Sequence, residues 1–189
     1  MSAGHLALGA VVAGGLVWSA QAVGADPTVD DAALWVAVAT GFAVAPDVDT
    51  SRSLVSRVLF PLRLLYVLVH RLLEMLIGDE RADYYMRHRG ITHDPVCSTP
   101  VVLLAGLAVC WWQGWSLWLA VAAGVGWVAH ILGDWPTMSG VPFGLPWSER
   151  VYALGLFRVG SWVETGVVYP CLAVAGAFVG WHAMVGLPA

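Results

Sequence analysis

The segment His88-Arg89-Gly90-Ile91-Thr92-His93-Asp94-Pro95 puts two imidazoles, a guanidinium and a carboxylate into eight residues of an otherwise apolar chain. Further polar points stand at His5, at the pair Asp47 and Asp49, and at the pair His130 and Asp134. Histidine and aspartate without cysteine suit zinc, manganese or iron better than a structural zinc bound by thiolates. There are more donors than one tetrahedral ion uses, which suggests two ions with a carboxylate between them. Such a centre activates water at neutral pH and clamps the oxygens of a phosphoester. His130 and Asp134 are four residues apart and so share one helix face. Each of the other points has a plainer reading too: His5 as an interfacial residue, Pro46-Asp47-Val48-Asp49 as a helix-stop turn, and Arg89 as either a fork for a phosphate or a positive charge at a membrane surface. His70 and Glu74 repeat the four-residue spacing on a more polar segment.

These residues have to be positioned by a chain of membrane composition. Of its 189 residues, 59% are hydrophobic and 12% charged, against about 45–50% and about 25% in a soluble domain. The net charge of -4 gives no support for a nucleic-acid partner. Cys97, Cys110 and Cys171 are too scattered for a disulfide framework or a thiolate cluster. Residues 1–4 carry no basic residue, so the first apolar segment is expected to be retained as a spanning helix and not removed as a signal.

Apolar runs predict spans over residues 6–25, 32–46, 95–112, 115–133 and 162–185. The second is short for a bilayer, as suits a helix end that opens into a protein-lined cavity. Residues 53–77 alternate leucine and valine with Arg57, Arg63, His70, Arg71 and Glu74, the pattern of an amphipathic helix lying at the interface. Trp111, Trp112, Trp115 and Trp118 flank the Gln113-Gly114 turn as an aromatic belt would, and Gly176 and Gly180 are spaced for close helix contact. The expected fold is therefore all-α: a polytopic transmembrane bundle of about five spans plus an interfacial helix, forming a single domain over 1–189. Alternating the loops puts all nine arginines (52, 57, 63, 71, 81, 87, 89, 150 and 158) on the side of the N-terminus, which the positive-inside rule assigns to the cytoplasm. The C-terminus then lies outside. Every polar point named above falls on that same cytoplasmic side, although hydrophobicity alone set the spans.

Gly4-His5-Leu6, Pro46-Asp47-Val48-Asp49, His88-Arg89-Gly90-Ile91-Thr92-His93 and His130-Ile131-Leu132-Gly133-Asp134, with Thr137, Gly140 and Pro142-Phe143, resemble the inner-membrane metal-dependent hydrolases of the YdjM type, a family known for a LexA-induced member. More distantly, the order of histidines and aspartates is similar to that of secreted zinc-dependent phospholipase C and related single-strand nucleases. The resemblance implies His5, Asp47, His93, His130 and Asp134 as metal ligands, with Asp49 or His88 assisting. The family usually has serine where this chain has Asp94, which offers an added ligand or base. The function so implied is a hydrolase using a divalent metal, zinc or manganese and two ions, on a lipid or lipid-linked phosphoester at the cytoplasmic face. Asp47 or Asp49 takes a proton and Arg89 neutralises developing charge. A metal-holding structural scaffold and a divalent-metal transporter are the alternatives; a transporter site belongs near the membrane midplane.

Overall fold

A computed structural model of the chain describes residues 2–51, 53–58 and 60–186; Arg52, among the nine arginines assigned to one side, lies outside them. The elements are α1 (Ser2–Ala22), α2 (Val29–Phe42), a 3-10 turn (Ala45–Asp49), α3 (Leu54–Val58), α4 (Phe60–Ile77) and α5 (Asp79–Met86). A second 3-10 turn (Ile91–His93) leads into α6 (Pro95–Gln113) and α7 (Trp118–Asp134). A two-stranded antiparallel ladder, β1 (Val141–Pro142) with β2 (Val151–Tyr152), then precedes a π-helical turn (Glu164–Val168) that continues as α8 (Tyr169–Val185).

The fold is an all-α membrane bundle. Four stretches, Ala3–Ala22, Val29–Asp49, Pro95–Gln113 and Glu164–Val185, are long and apolar enough to cross a bilayer. The fifth expected span, α7, is a 17-residue apolar helix. Local chemistry sets the helix ends. Thr28 and Asp31 cap α2 reciprocally, satisfying backbone N–H groups that a helix start leaves open. Asp94 and Pro95 begin α6, and Gly114, in the left-handed conformation, ends it at the turn where three exposed tryptophans gather.

Between apolar helices in lipid, association depends on close packing more than on burial from water. The interior where α1, α2 and α7 meet is accordingly small-residued: Ala13, Ala20, Ala32, Ala39 and Ala122 surround Val17 and Trp35. A Cβ on Gly126 would stand 2.1 Å from the carbonyl oxygen of Ala39, so only glycine permits this approach of α7 to α2. Large side chains such as Val101, Leu104, Val174 and Phe178 point outward from α6 and α8. Gly176 meets Val11 of α1 at ordinary contact distance, whereas Gly180 faces open space; the paired close contact expected of these two glycines does not form, and Gly14 of α1 meets Val179 instead.

The interfacial segment is α3 and α4. No residue of α4 is buried, and it packs on α5 and on the 45–49 turn, not within the bundle. Arg63 ties it down by donating to the carbonyl oxygens of Val48 and Asp49 at 2.9 and 2.8 Å. Because consecutive spans alternate in direction, the start of α1, the ends of α2 and α7 and the starts of α6 and α8 fall at one end of the bundle.

Candidate metal centre

At that end, His93, His130 and Asp134 are fully buried, and Asp47 and His5 nearly so. His93 and His130 face each other, Nε2 to Nε2, at 3.0 Å. Asp47 Oδ1 lies 3.6 Å from His130 Nε2 and 3.8 Å from His93 Nε2. Asp134 Oδ2 lies 3.6 Å from His93 Nε2 and 3.8 Å from His130 Nε2. Neither carboxylate oxygen has a donor within hydrogen-bonding distance. A buried acceptor without a donor normally costs about 1–3 kcal/mol, more when charged. Four donors around an ion with bonds of about 2.0–2.1 Å would be about 3.3 Å apart, which is close to the separations here. The donor set therefore fits a metal ion.

The outer nitrogens are held by the chain. His130 Nδ1 is 2.8 Å from the carbonyl oxygen of Ala43, and His93 Nδ1 is 2.9 Å from Thr92 Oγ1, which donates to Asp49 Oδ2, itself 3.4 Å from the same nitrogen. Anchoring Nδ1 in this way fixes the ring and leaves Nε2 as the nitrogen that could coordinate an ion. Burial lowers the basicity of His93, but the carboxylates of Asp47 and Asp49 outweigh it and raise its pKa to about 9.

His5 stacks on His130, with ring centroids 4.0 Å apart, and its Nε2 is 3.4 Å from Asp134 Oδ1. The groups His5/His130/Asp134 and Asp47/His93/His130 could each hold an ion, but they share His130. Asp49/His88/His93 is a third such group and shares His93. The two-ion expectation thus meets linked donor sets that reuse the same imidazoles.

Three residues expected to do chemistry have other partners. Asp49 accepts from Thr50 Oγ1 and His88 Nδ1 on Oδ1, and from the Arg89 N–H and Thr92 Oγ1 on Oδ2. With both oxygens engaged, it lies behind His93, 3.4 Å from Nδ1. Asp94, expected as a ligand or base, is the cap of α6: Oδ1 accepts from the N–H groups of Val96 and Cys97, and Oδ2 from that of Leu145. Asp-Pro at a helix start was a readable signal of this. Arg89 uses its fork within the protein, donating to Asp134 Oδ1 at 2.6 Å, to Thr137 Oγ1 at 3.0 Å and to the carbonyl oxygen of Gly140 at 3.1 Å.

His88 is exposed and bonded to Asp49 and to Thr50 Oγ1. It lines a cavity of about 530 Å³ with Arg87, Arg89, Ser139 and Gly140. Arg87, absent from the sequence-based site, is exposed there and stacks over Tyr84. Thr50 and Thr92, also missed, complete the set of donors around Asp49; their only signal was adjacency to an aspartate and a histidine. His70, Glu74 and Asp83 form a separate, more exposed group between α4 and α5.

Glycine makes the loop possible. A Cβ on Gly90 would lie 2.2 Å from the Tyr85 carbonyl oxygen and 2.8 Å from that of Arg87, so Gly90 lets the chain fold back and present His88, Arg89 and His93 together.

A model of the YdjM inner membrane protein family matches residues 1–187. The chain belongs to that family. Membership accords with the helical bundle, and the residues that resemble the YdjM type in sequence are the ones that meet at one end of it. No curated protein and no solved structure matches the chain.

Proposed function

We propose that this YdjM-family protein is a membrane-embedded, metal-dependent hydrolase of lipid or lipid-linked phosphoesters, with its site on the cytoplasmic face of the inner membrane. The observation that carries the metal is the pair of buried carboxylate oxygens, Asp47 Oδ1 and Asp134 Oδ2, with no donor in range and two inward-facing imidazole nitrogens beside them. His93, His130, Asp47 and Asp134 hold one divalent ion, zinc or manganese. The bound ion would supply a Lewis acid and lower the pKa of a water. Asp49 and the Ala43 carbonyl fix the two imidazoles, and Arg89 fixes Asp134. His5 lines a cavity beside Asp134 and would be the group placed to accept a proton from water entering there.

The helix-end position supports a headgroup substrate, since phosphoester groups of lipids sit at that depth. The same position argues against a transporter, whose ion would sit near the midplane. The arginine-bearing loops support the cytoplasmic orientation. A structural metal is the second reading, favoured by the complete burial of His93, His130 and Asp134; a closed coordination would leave no place for water.

Purified protein should release phosphate or a phosphorylated headgroup from a lipid phosphoester, stop with EDTA and recover with zinc or manganese. If metal-replete protein leaves every lipid phosphoester intact, while His93→Ala loses both metal and stability, the structural reading replaces the hydrolase.

A further inference from the structure

A second cavity, of about 360 Å³, adjoins the arginine-lined one. Its apolar wall is Leu8 of α1, Leu132 of α7, Leu172 of α8, and Leu156 and Phe157 of the 134–160 loop. Leu132 and Leu156, at 48% and 68% exposure, mark where it opens sideways, between helices that face lipid. His5 and Asp134 of the candidate centre also line it. The segment 134–140, gripped by Arg89 through Asp134, Thr137 and Gly140, forms part of the partition between the two cavities, which adjoin at Val159, a residue of both linings.

The polarity across this partition is one-directional. On one side stand the cations Arg87 and Arg89, with His88 and Ser139, beside an apolar patch of Pro142, Val151 and Val159. On the other, the walls are hydrocarbon, and the charged group beyond Asp134 is Glu164. Glu164 is 8% exposed and sits in the π-helical turn that opens α8, an irregularity that recurs at functional sites. It accepts hydrogen bonds from the Gly160 N–H and from Tyr169 Oη at 3.2 Å. A buried ionisable group at a membrane helix end is expensive and points to function. The apolar cavity offers a phosphate no arginine, while Arg87 and Arg89 favour one in the other.

We propose that the apolar cavity is the seat of one hydrocarbon chain of a lipid phosphoester, entering laterally from the bilayer between α7 and α8, with its phosphate directed into the Arg87–Arg89 cavity. Glu164, whose oxygens accept from the Gly160 N–H and Tyr169 Oη, is a positioning residue that offers the phosphate end no donor in the apolar cavity. The chain seat deepens the hydrolase reading and rests on it for the fate of the lipid, but occupancy of the cavity can be read without turnover.

The test uses full-length protein in phosphatidylglycerol nanodiscs containing EDTA, with a phosphatidylglycerol probe bearing a diazirine on its acyl chain. Photolabelling should map to peptides carrying Leu8, Leu132 or Leu172 and be saturable by unlabelled lipid. Leu172→Trp and, independently, Leu8→Trp should lower it about tenfold, since excluding two methylenes from an apolar seat already costs that much. Leu104→Trp, on the lipid-facing side of α6, should leave it unchanged. With metal restored, the cavity-filling variants should raise KM for the lipid and leave hydrolysis of p-nitrophenyl phosphate, which has no chain, unaltered. Glu164→Gln should keep chain labelling and lose discrimination against lipids whose charge lies on the chain. Labelling that is unsaturable and equal in all variants, or an equal loss of p-nitrophenyl phosphate turnover, overturns the chain seat. Absence of any hydrolysis by wild-type protein overturns the hydrolase reading and leaves the labelling result to decide the cavity.

Discussion

Replacing Asp49 by asparagine separates a ligand from the group that holds a ligand. The shape is kept, and the new amide N–H₂ can face Thr50 Oγ1 and His88 Nδ1, both of which can accept, while the amide oxygen still receives the Arg89 N–H and Thr92 Oγ1. What is lost is the negative charge 3.4 Å from His93 Nδ1. Removing such an outer partner weakens metal binding by about 10–100-fold, or about 1.4–2.7 kcal/mol. By linkage, the stabilisation conferred by saturating metal falls equally, a drop of about 3–10 °C in Tm for a chain of this size. The pH dependence adds a sign that packing alone would not give. In the metal-free protein His93 has its pKa raised to about 9, so at pH 7 a proton competes with the metal and lowers the apparent affinity by about 100-fold. Asp49→Asn removes much of that competition. The loss of affinity should therefore be small at pH 7 and complete only near pH 9.5. Zinc titration by calorimetry in detergent, at both pH values, measures it. Wild-type affinity in the variant at pH 9.5, alongside loss of binding in His93→Ala, would refute the role of Asp49; an equal loss at both pH values would refute the proton competition.

His130→Ala and Asp134→Ala should each lower bound metal, measured by elemental analysis, and lower Tm only when metal is present, while His182→Ala, which stacks on Trp18 far along α8, should leave metal content unchanged. Arg89→Lys keeps the charge but not the planar fork, so it should weaken the hold on Asp134 and reduce both turnover and metal affinity, with turnover the more affected. Gly90→Ala forces a Cβ against the Tyr85 carbonyl oxygen, and should cost about 1–3 kcal/mol of stability and release the metal. In intact cells, cysteines placed at Ser51 or Ser148 should resist an impermeant thiol reagent and one at Gln113 should react; the reverse pattern would put the centre on the other face.

The helices were legible because spans announce themselves by length and apolarity, and the site was legible because its polar residues stop at the ends of those spans. Alternation of direction then brings His5, Asp47, His93, His130 and Asp134 to one end before any contact is known. Division of labour within the site was not legible. Asp47 and Asp49 look equivalent in Pro46-Asp47-Val48-Asp49, yet they lie in a 3-10 turn. With about three residues per turn, side chains two apart point roughly 240° apart around the axis, so one carboxylate faces the centre and the other faces His93 from behind. Gly180 was only half legible: its backbone lies beside Gly14 of α1, while the position of its own missing Cβ is open, since spacing of small residues identifies a face and only the neighbouring helix decides where on that face the contact falls.

Arg89 ties these two halves together. It is the one non-glycine residue with a left-handed backbone among those described, with φ 60°, a conformation that costs about 1–2 kcal/mol for an ordinary side chain. The cost is offset by what that backbone angle permits. The N–H turns to Asp49, behind His93, while the side chain reaches across to Asp134, Thr137 and Gly140. One residue thereby fixes the carboxylate that orients His93, the carboxylate beside His130, and the loop that separates the cationic cavity from the apolar one. Moving Arg89 would shift the supports of both imidazoles together, so the centre is held as a unit although its donors come from three separate stretches of chain.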